Sequence, residues 1–202
     1  CDMTDRSSYI LFITDQQRYD NLGCNGHPVL KTPNIDAIAA EGVCYDRFYV
    51  SSPVCMPNRA SLVTCRMPSS HGVRSLGIPL AHENVTFIDL MGAAGYDTAL
   101  IGKSHLQTVT DWSVQIDPPV YREGYVAPPK DLAVAVRSDL DSDAYQYERQ
   151  LFYEKDDPKV PLPFYGFENY ISVLRHGFNT GGDHEIHLKK NAPEVMKLKS
   201  RD

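Results

Sequence analysis

The sequence predicts an α/β sandwich, because apolar segments of strand length alternate with segments that carry helix start and stop signals. The strand-length segments are residues 9–13, 45–50, 98–101 and 170–174, and the helix-like segments are residues 32–42, 57–64 and 86–95. A second observation is that polar, reactive side chains follow two of the predicted strands, where open α/β sheets bind ligands. The 202 residues, 42% of them hydrophobic, suffice for one sizeable core.

The first predicted strand is the apolar, partly β-branched run from Tyr9 to Ile13, which is typical of a buried strand. It breaks into a polar loop that contains Asp15 and Gln16. These two side chains therefore follow the carboxyl end of a strand, where a ligand site is expected. Another strand is predicted from Tyr45 to Val50.

The first two predicted helices are marked by local signals. One begins after the capping residue Thr32, with Pro33 at its first position and Gly42 as its stop. The other covers Pro57 to Thr64 and places Cys55 at or just before a helix N-terminus.

The third predicted helix begins at residues 86–89, which resemble a capping box, and ends near residues 92–95. The strand that follows covers Thr98 to Ile101. Lys103 and His105 therefore lie just past the end of a strand, in the position where ligand sites form.

The periodic pattern weakens over residues 108–163, where prolines interrupt a polar, acidic stretch with many tyrosines. We interpret this stretch as an irregular insertion or lid. Order returns with a predicted strand from Tyr170 to Leu174, which is followed by the Gly- and His-rich residues 176–184.

Composition excludes several classes of function. A net charge of -6 and scattered Lys and Arg residues make nucleic acid an unexpected partner. No apolar run reaches the length of a membrane span, so we expect no membrane partner. The first residues show no secretory signal, and the five cysteines are widely spaced without paired spacings, which favours a cytoplasmic protein without a disulfide framework.

The segment from Cys55 to Arg59 carries the most chemical information. A thiol before a helix start lies in a positive dipole field, and the cation is one helical turn away, which is an arrangement for handling anions. A buried structural Cys with a surface Arg is the alternative. The loop of cysteine phosphatases places five residues between Cys and Arg, whereas here there are three, so that class is disfavoured.

Residues 52–64 resemble the sulfatase signature, Cys-x-Pro-x-Arg followed by Ala-Ser-Leu and Thr. In that family the Cys is oxidised to formylglycine by a dedicated formylglycine-generating enzyme, and the nearby Arg stabilises the formylglycine hydrate. The resemblance implies these roles for Cys55 and Arg59. Further segments occur in family order and spacing at residues 13–16, 32–36, 70–74 and 100–105.

The same resemblance implies a metal site and two further catalytic residues. Asp15 and Gln16 correspond to the first two metal ligands, and Cys55 is the third ligand position in this chain. Lys103 corresponds to the cation that grips sulfate, and His105 to the hydrogen-bond partner of formylglycine. Hard oxygen ligands suit Ca²⁺ best, with Mg²⁺ or Mn²⁺ as alternatives.

A leaving-group histidine is expected in the region from residue 164 to 184, which resembles the corresponding part of arylsulfatases and phosphonate monoester hydrolases. His184 is the candidate for this role, and His176 and His187 compete with it. Two departures from the family pattern affect substrate preference: Cys65 stands where Gly is usual, and Leu76 stands where Asn is common.

The resemblance implies an alkaline-phosphatase-like fold, with a mixed, mostly parallel sheet between helices. Residues 1–202 are then the truncated N-terminal portion of a single catalytic domain. No Ser-Asp-His-Gly-like segment supplies the downstream metal ligands, and the nearest lookalike is Asp183 with His184. We therefore expect this chain alone to bind Ca²⁺ weakly and to show little sulfatase activity.

The predicted function is hydrolysis of a sulfate monoester through a formylglycine nucleophile, with a small sulfated substrate and the maturing enzyme as partners. One alternative is a phosphonate or phosphate monoester hydrolase on the same residues, although Lys103 and His105 favour sulfate. The other is a non-catalytic, truncated domain. The oligomeric state stays open.

Overall fold

A computed structural model of the chain describes residues 6–109, 114, 117, 120–127, 129, 133–137 and 143–199. The chain divides into two compact units, an N-terminal unit, Cys1–Tyr49, and a C-terminal unit, Val50–Asp202. That both belong to one catalytic domain, as the sequence predicts, stays a prediction.

The regular elements are seven α-helices and two β-strands within the described ranges. The helices are α1 (Pro33–Glu41), α2 (Cys55–Thr64), α3 (Pro68–His71), α4 (Phe87–Ala93), α5 (Gln150–Tyr153), α6 (Asp183–Asn191) and α7 (Pro193–Lys199), and the strands are β1 (Ala99–Gly102) and β2 (Asn169–Ser172). Each described helix falls short of the length and hydrophobicity needed to cross a bilayer.

In the N-terminal unit, helix α1 confirms the first helix prediction, with Pro33 in its first turn and Gly42 at its end. The Thr32 side chain does not cap the helix; its hydroxyl donates to the Asp36 carboxylate at 2.7 Å. The same carboxylate accepts the backbone N–H of Cys24 at 2.7 Å. Asp36 therefore fastens the loop before α1 to the helix.

The two strands predicted for residues 9–13 and 45–50 are wrong, because both segments are irregular and exposed. Phe12, for example, is 91% exposed. A strand forms only where its backbone groups pair with another strand, and the described part of the N-terminal unit contains no such partner. The apolar pattern alone does not provide one.

In the C-terminal unit, α2 confirms the second helix prediction and starts at Cys55 itself. Its residues Met56, Ala60 and Val63 follow helical spacing and are all buried on one face. They pack in a core that also contains Val73, Leu80, Ile88, Leu106, Phe164 and Tyr165. Truncating a buried methionine of this kind to Ala costs about 2–5 kcal/mol, so the core fixes the position of α2.

Helix α4 and strand β1 confirm the predictions for residues 86–95 and 98–101. The capping box is complete, because the Thr86 hydroxyl accepts the backbone N–H of Asp89 and the Asp89 carboxylate accepts the backbone N–H of Thr86. This reciprocal pair fixes the start of α4.

Strands β1 and β2 form a parallel pair in which Ala99 faces Asn169 and Gly102 faces Ser172. The strand predicted for residues 170–174 is thus confirmed, with its end two residues earlier, and Leu174 forms an isolated bridge with Gly181. The α/β class is borne out by this parallel sheet, and the larger sheet between helices stays a prediction. Parallel register brings the two carboxyl ends of the strands to one edge.

The stretch predicted as an insertion or lid, residues 108–163, is described in part. Tyr145, Phe152 and Tyr153 in this stretch are buried, and Glu148 is 1% exposed. Residues 110–113 and 138–142 lie outside the described ranges. The later portion of the stretch therefore contributes to the packed interior of the C-terminal unit.

Candidate active site

Cys55 is the first residue of α2 and is half-buried. The preceding residue, Val54, has extended backbone angles, and its carbonyl oxygen accepts the N–H of Asn58 at 3.0 Å. The thiol therefore lies at the positive end of a ten-residue helix, which favours a negatively charged group there.

Arg59 lies one helical turn after Cys55 and contacts the loop that follows β1. Its Nη1 donates to the carbonyl oxygen of Lys103 at 2.5 Å. The contact joins the start of α2 to the end of β1, two elements that are far apart in sequence. The hydrogen bond thus brings the Arg59 guanidinium to the backbone of Lys103, the other cation predicted from the sequence.

The Lys103 ammonium contacts His176, at 2.9 Å from its Nε2 and 3.4 Å from its Nδ1. A lysine ammonium has no acceptor, so it is the donor in this contact with the His176 ring. His176 follows β2 in the chain, and Lys103 follows β1, so parallel pairing explains why they meet. His176 was a competing candidate in the sequence and is the histidine that contacts Lys103.

The Glu148 carboxylate is buried and accepts four hydrogen bonds from the segment directly after Lys103. Oε1 accepts the Ser104 hydroxyl at 2.6 Å and the His105 N–H at 2.6 Å. Oε2 accepts the N–H groups of Leu106 at 2.7 Å and Gln107 at 2.5 Å. Burial raises the pKa of the Glu148 carboxyl above its ordinary value, and the four donors offset part of that rise.

Sequence reasoning missed Glu148, because it lies in the Tyr-rich stretch without a motif of its own. Its partners lie 41 to 44 positions earlier in the chain. The Ser104 hydroxyl also contacts the Tyr170 hydroxyl at 2.7 Å, so β2 joins the same network. Only the folded arrangement reveals these contacts.

His71, in the segment that matched the family at residues 70–74, has a structural role. Its Nδ1 accepts the N–H of Val73 at 3.1 Å, so its Nε2 carries the proton and donates to the Ser61 hydroxyl at 2.9 Å. Burial lowers the pKa of His71 to about 4. The neutral ring therefore fixes the loop after α3 against α2.

The backbone conformation of Cys65 explains why glycine is usual at this position. Cys65 ends α2 in the left-handed conformation, with φ of 54°. This is the position where helices favour glycine, because a Cβ is strained there. Leu76, the second departure, is about half exposed, and its apolar side chain has no group for a polar contact.

Asp15 and Gln16 belong to the N-terminal unit, in an exposed loop where Gln16 has φ of 57°. Their oxygens are of the type that Ca²⁺ and Mg²⁺ prefer. Within the described ranges, however, no three His, Cys, Asp or Glu side chains are grouped so that they could hold a metal ion. The donor type fits a hard cation, whereas the number of donors falls short of the roughly six that such a cation takes.

His184 lies in the first turn of α6, and His187 lies one turn later. The neighbouring Asp183 carboxylate accepts the Ser172 N–H at 2.8 Å and the Ser172 hydroxyl at 3.0 Å. Asp183 thus fixes the start of α6 to the end of β2. The leaving-group role of His184 stays a prediction.

Known proteins resemble this chain over most of the segments described above. A family model described as sulfatase matches residues 7–125. Arylsulfatase A of Homo sapiens is 40% identical over 105 residues, which are 48% of this chain and 20% of that protein. An ulvan-active sulfatase of Formosa agariphila is 31% identical over 159 residues, which are 79% of this chain and 29% of that protein.

Among solved structures, the crystal structure of Ps i-CgsB matches with a TM-score of 0.50 at 21% identity, and the match covers 90% of this chain and 30% of that chain. At this identity the likeness supports the fold alone. The matched segments cover less than a third of each of these three proteins.

Proposed function

The chain belongs to the sulfatase family, and we propose that the protein hydrolyses sulfate monoesters with a formylglycine nucleophile made from Cys55. The observation that carries the proposal is the contact chain from Arg59 to Lys103 to His176, which begins one helical turn after Cys55. The Arg59 guanidinium bonds the backbone of Lys103 and the Lys103 ammonium reaches His176, which supports an anion-binding role for these residues.

The chemistry needs positive charge, because the sulfate group that is transferred carries negative charge on its oxygens. Lys103 donates hydrogen bonds as a point charge and is proposed to grip the sulfate. Arg59 is proposed to stabilise the nucleophile end of the site. Formylglycine supplies a hydrated aldehyde whose oxygen attacks sulfur, a nucleophile that no unmodified side chain offers.

Proton transfer is assigned to histidines in this proposal. His105 is buried two residues after Lys103 and is proposed as the hydrogen-bond partner of the formylglycine. His184 is proposed to assist the leaving oxygen, and His176 is the competing residue because it contacts Lys103. Imidazoles suit both roles near neutral pH.

A divalent cation, Ca²⁺ in the first place and Mg²⁺ or Mn²⁺ as alternatives, is the proposed cofactor. Family membership and the oxygen donors of Asp15 and Gln16 support this assignment. When bound, such a cation offsets charge on the ester. The substrate is proposed to be a small sulfated molecule, and the formylglycine-generating enzyme is the partner during maturation.

Phosphonate or phosphate ester hydrolysis is the second candidate, since it transfers a similar tetrahedral anionic centre. Lys103 and His105 favour sulfate. Steady-state kinetics on an aryl sulfate and the matching aryl phosphonate, with protein co-expressed with the maturing enzyme, separate the two. We expect a larger kcat/KM for the sulfate than for the phosphonate, and no turnover above background for Cys55→Ala. A large preference for phosphonate would overturn the assignment.

A further inference from the structure

Glu148 is a buried side chain that no part of the proposed reaction uses. Its four hydrogen bonds come from four consecutive residues, Ser104 to Gln107, at distances of 2.5–2.7 Å. These residues follow Lys103 directly and include His105. The acceptor therefore organises the segment that carries two of the proposed catalytic residues.

The hydrogen-bond pattern requires a carboxylate rather than any polar side chain. An ionised carboxylate only accepts, and its two oxygens provide about four acceptor sites, which the four donors fill. Bonds to a charged acceptor are stronger than bonds to a neutral one, and burial strengthens them further. One side chain from a different part of the sequence thus satisfies every donor named here.

The backbone held in this way has an uncommon conformation. His105 has φ of 53°, in the left-handed region that non-glycine residues rarely occupy. Such a conformation persists where surrounding contacts determine it. Here the His105 N–H is bound to Oε1 and the next two N–H groups are bound to Oε2.

Lys103, which precedes this segment, makes two contacts with other elements. Its carbonyl oxygen accepts the Arg59 guanidinium, and its ammonium reaches His176. Both contacts depend on the direction in which the chain leaves β1. Other bonds in this segment include those of the Leu106 carbonyl oxygen, which accepts the Leu80 N–H, and of the Gln107 side chain, which bonds Ala144 and Tyr147. Glu148 is the acceptor for the backbone N–H groups of residues 105–107.

We propose that Glu148 is a positioning residue, which holds the segment after β1 so that Lys103 and His105 face the sulfate group. This inference rests on the proposed function of those two residues. Tyr170 completes the support, because the Ser104 hydroxyl contacts both its hydroxyl and Glu148.

The test substitution is Glu148→Gln, which is nearly isosteric and removes one acceptor oxygen. In either orientation of the amide, the new NH₂ group points at N–H groups of residues 105–107, which are also donors and cannot accept a hydrogen bond from it. Glu148→Asp keeps the charge on a shorter side chain. Glu168→Gln is the matched control, since Glu168 accepts a single long bond, from the Thr98 N–H at 3.4 Å.

Two measurements are made on each protein, co-expressed with the maturing enzyme: amide hydrogen exchange resolved by residue, and turnover of an aryl sulfate. In Glu148→Gln we expect the amides of residues 105–107 to exchange about tenfold faster or more, while α2 amides keep their protection. We expect kcat to fall about 10²-fold. Glu148→Asp should recover part of both losses, and Glu168→Gln should match the wild type.

Unchanged amide protection in Glu148→Gln would overturn the proposal. So would a Glu148→Gln protein whose amides exchange faster but whose turnover equals that of the Glu168→Gln control. If Glu148→Gln loses protection throughout the C-terminal unit, Ser104→Ala decides. It removes one donor without placing donor against donor. Local loosening at residues 105–107 with reduced kcat supports positioning, and an unchanged variant contradicts it.

Failure of the proposed function has a separate signature. If the wild type does not turn over aryl sulfate, the probe becomes inorganic sulfate, followed by the NMR signals of Lys103 and His176. Shifts in the wild type that are lost in Glu148→Gln support positioning although the function fails. Equal shifts in both proteins, or none in the wild type, overturn the positioning role.

Discussion

The guanidinium of Arg59 donates to the carbonyl oxygen of Lys103 at 2.5 Å, which joins the helix that begins at Cys55 to the loop after β1. The contact brings a Cys-x-Pro-x-Arg segment and a Lys-x-His segment together although Arg59 and Lys103 are 44 positions apart. Its donor is a planar fork with fixed geometry, which a lysine does not reproduce.

Arg59→Lys is therefore expected to lose most of the activity that Arg59→Ala loses. For the alanine variant we expect a lower kcat/KM for an aryl sulfate, which corresponds to a loss of about 2–4 kcal/mol in transition-state stabilisation. Steady-state kinetics check this result. Arg18→Lys is the control, since Arg18 pairs with Asp20 at an exposed site, and full activity of Arg59→Lys would show that charge alone suffices.

Lys103→Ala removes the ammonium that contacts His176 and is proposed to grip sulfate. We expect a loss of about 2–4 kcal/mol in transition-state stabilisation, calculated from the kcat/KM values of the two proteins. This is the scale for removal of one preorganised electrostatic partner. Lys159→Ala is the matched control, because Lys159 pairs with Asp157 on the surface. A Lys103→Ala protein within a factor of about two of the wild type would make Lys103 a solvated loop residue.

His71 gives the fold a defined pH dependence. Because its folded pKa is lowered to about 4 from 6.5, the unfolded chain binds the proton first as pH falls. Stability from the neutral ring is thus present above about pH 6.5 and is lost as pH falls toward 4. Urea unfolding at a series of pH values should show a falling free energy of unfolding over this window.

The control for this dependence is His71→Gln, which cannot titrate. We expect it to be less stable near neutral pH, because it lacks the ring that bonds Ser61 and Val73, and to show a shallower slope between pH 4 and 6.5. Equal slopes in the two proteins would mean that His71 is protonated equally in the folded and unfolded states.

Cys65→Gly is expected to stabilise the C-terminal unit by about 1 kcal/mol, because glycine has no Cβ to strain the left-handed end of α2. Urea unfolding under reducing conditions measures the change. Leu62→Gly is a useful comparison, since the same residue inside α2 should destabilise by a similar amount. A destabilised Cys65→Gly would indicate that the cysteine side chain contributes packing that outweighs the strain.

Local signals in the sequence sufficed for α1, α2, α4 and β1. Helix α4 begins at the capping box of Thr86 and Asp89, and α1 has Pro33 in its first turn and Gly42 at its end. Their bounds were therefore predictable to within about two residues. The positions of Cys55 and Arg59 on α2 followed from the same signals.

Features that depend on distant partners were not predictable. Residues 9–13 have the composition of a buried strand, yet no described segment of their unit pairs with them. Glu148 carries no motif, and its role appears only when residues 104–107 fold against it. His176 gains its contact with Lys103 from the register of β1 and β2, which a single sequence does not specify.

The central claim is that Cys55 becomes the nucleophile of a sulfate ester hydrolase, and peptide mass spectrometry tests it most directly. The protein is co-expressed with the formylglycine-generating enzyme, and the peptide that contains Cys55 is measured beside the one from Cys55→Ser. We expect the wild-type peptide to have lost the thiol sulfur and gained an aldehyde. An unmodified Cys55 thiol under these conditions would contradict the claim.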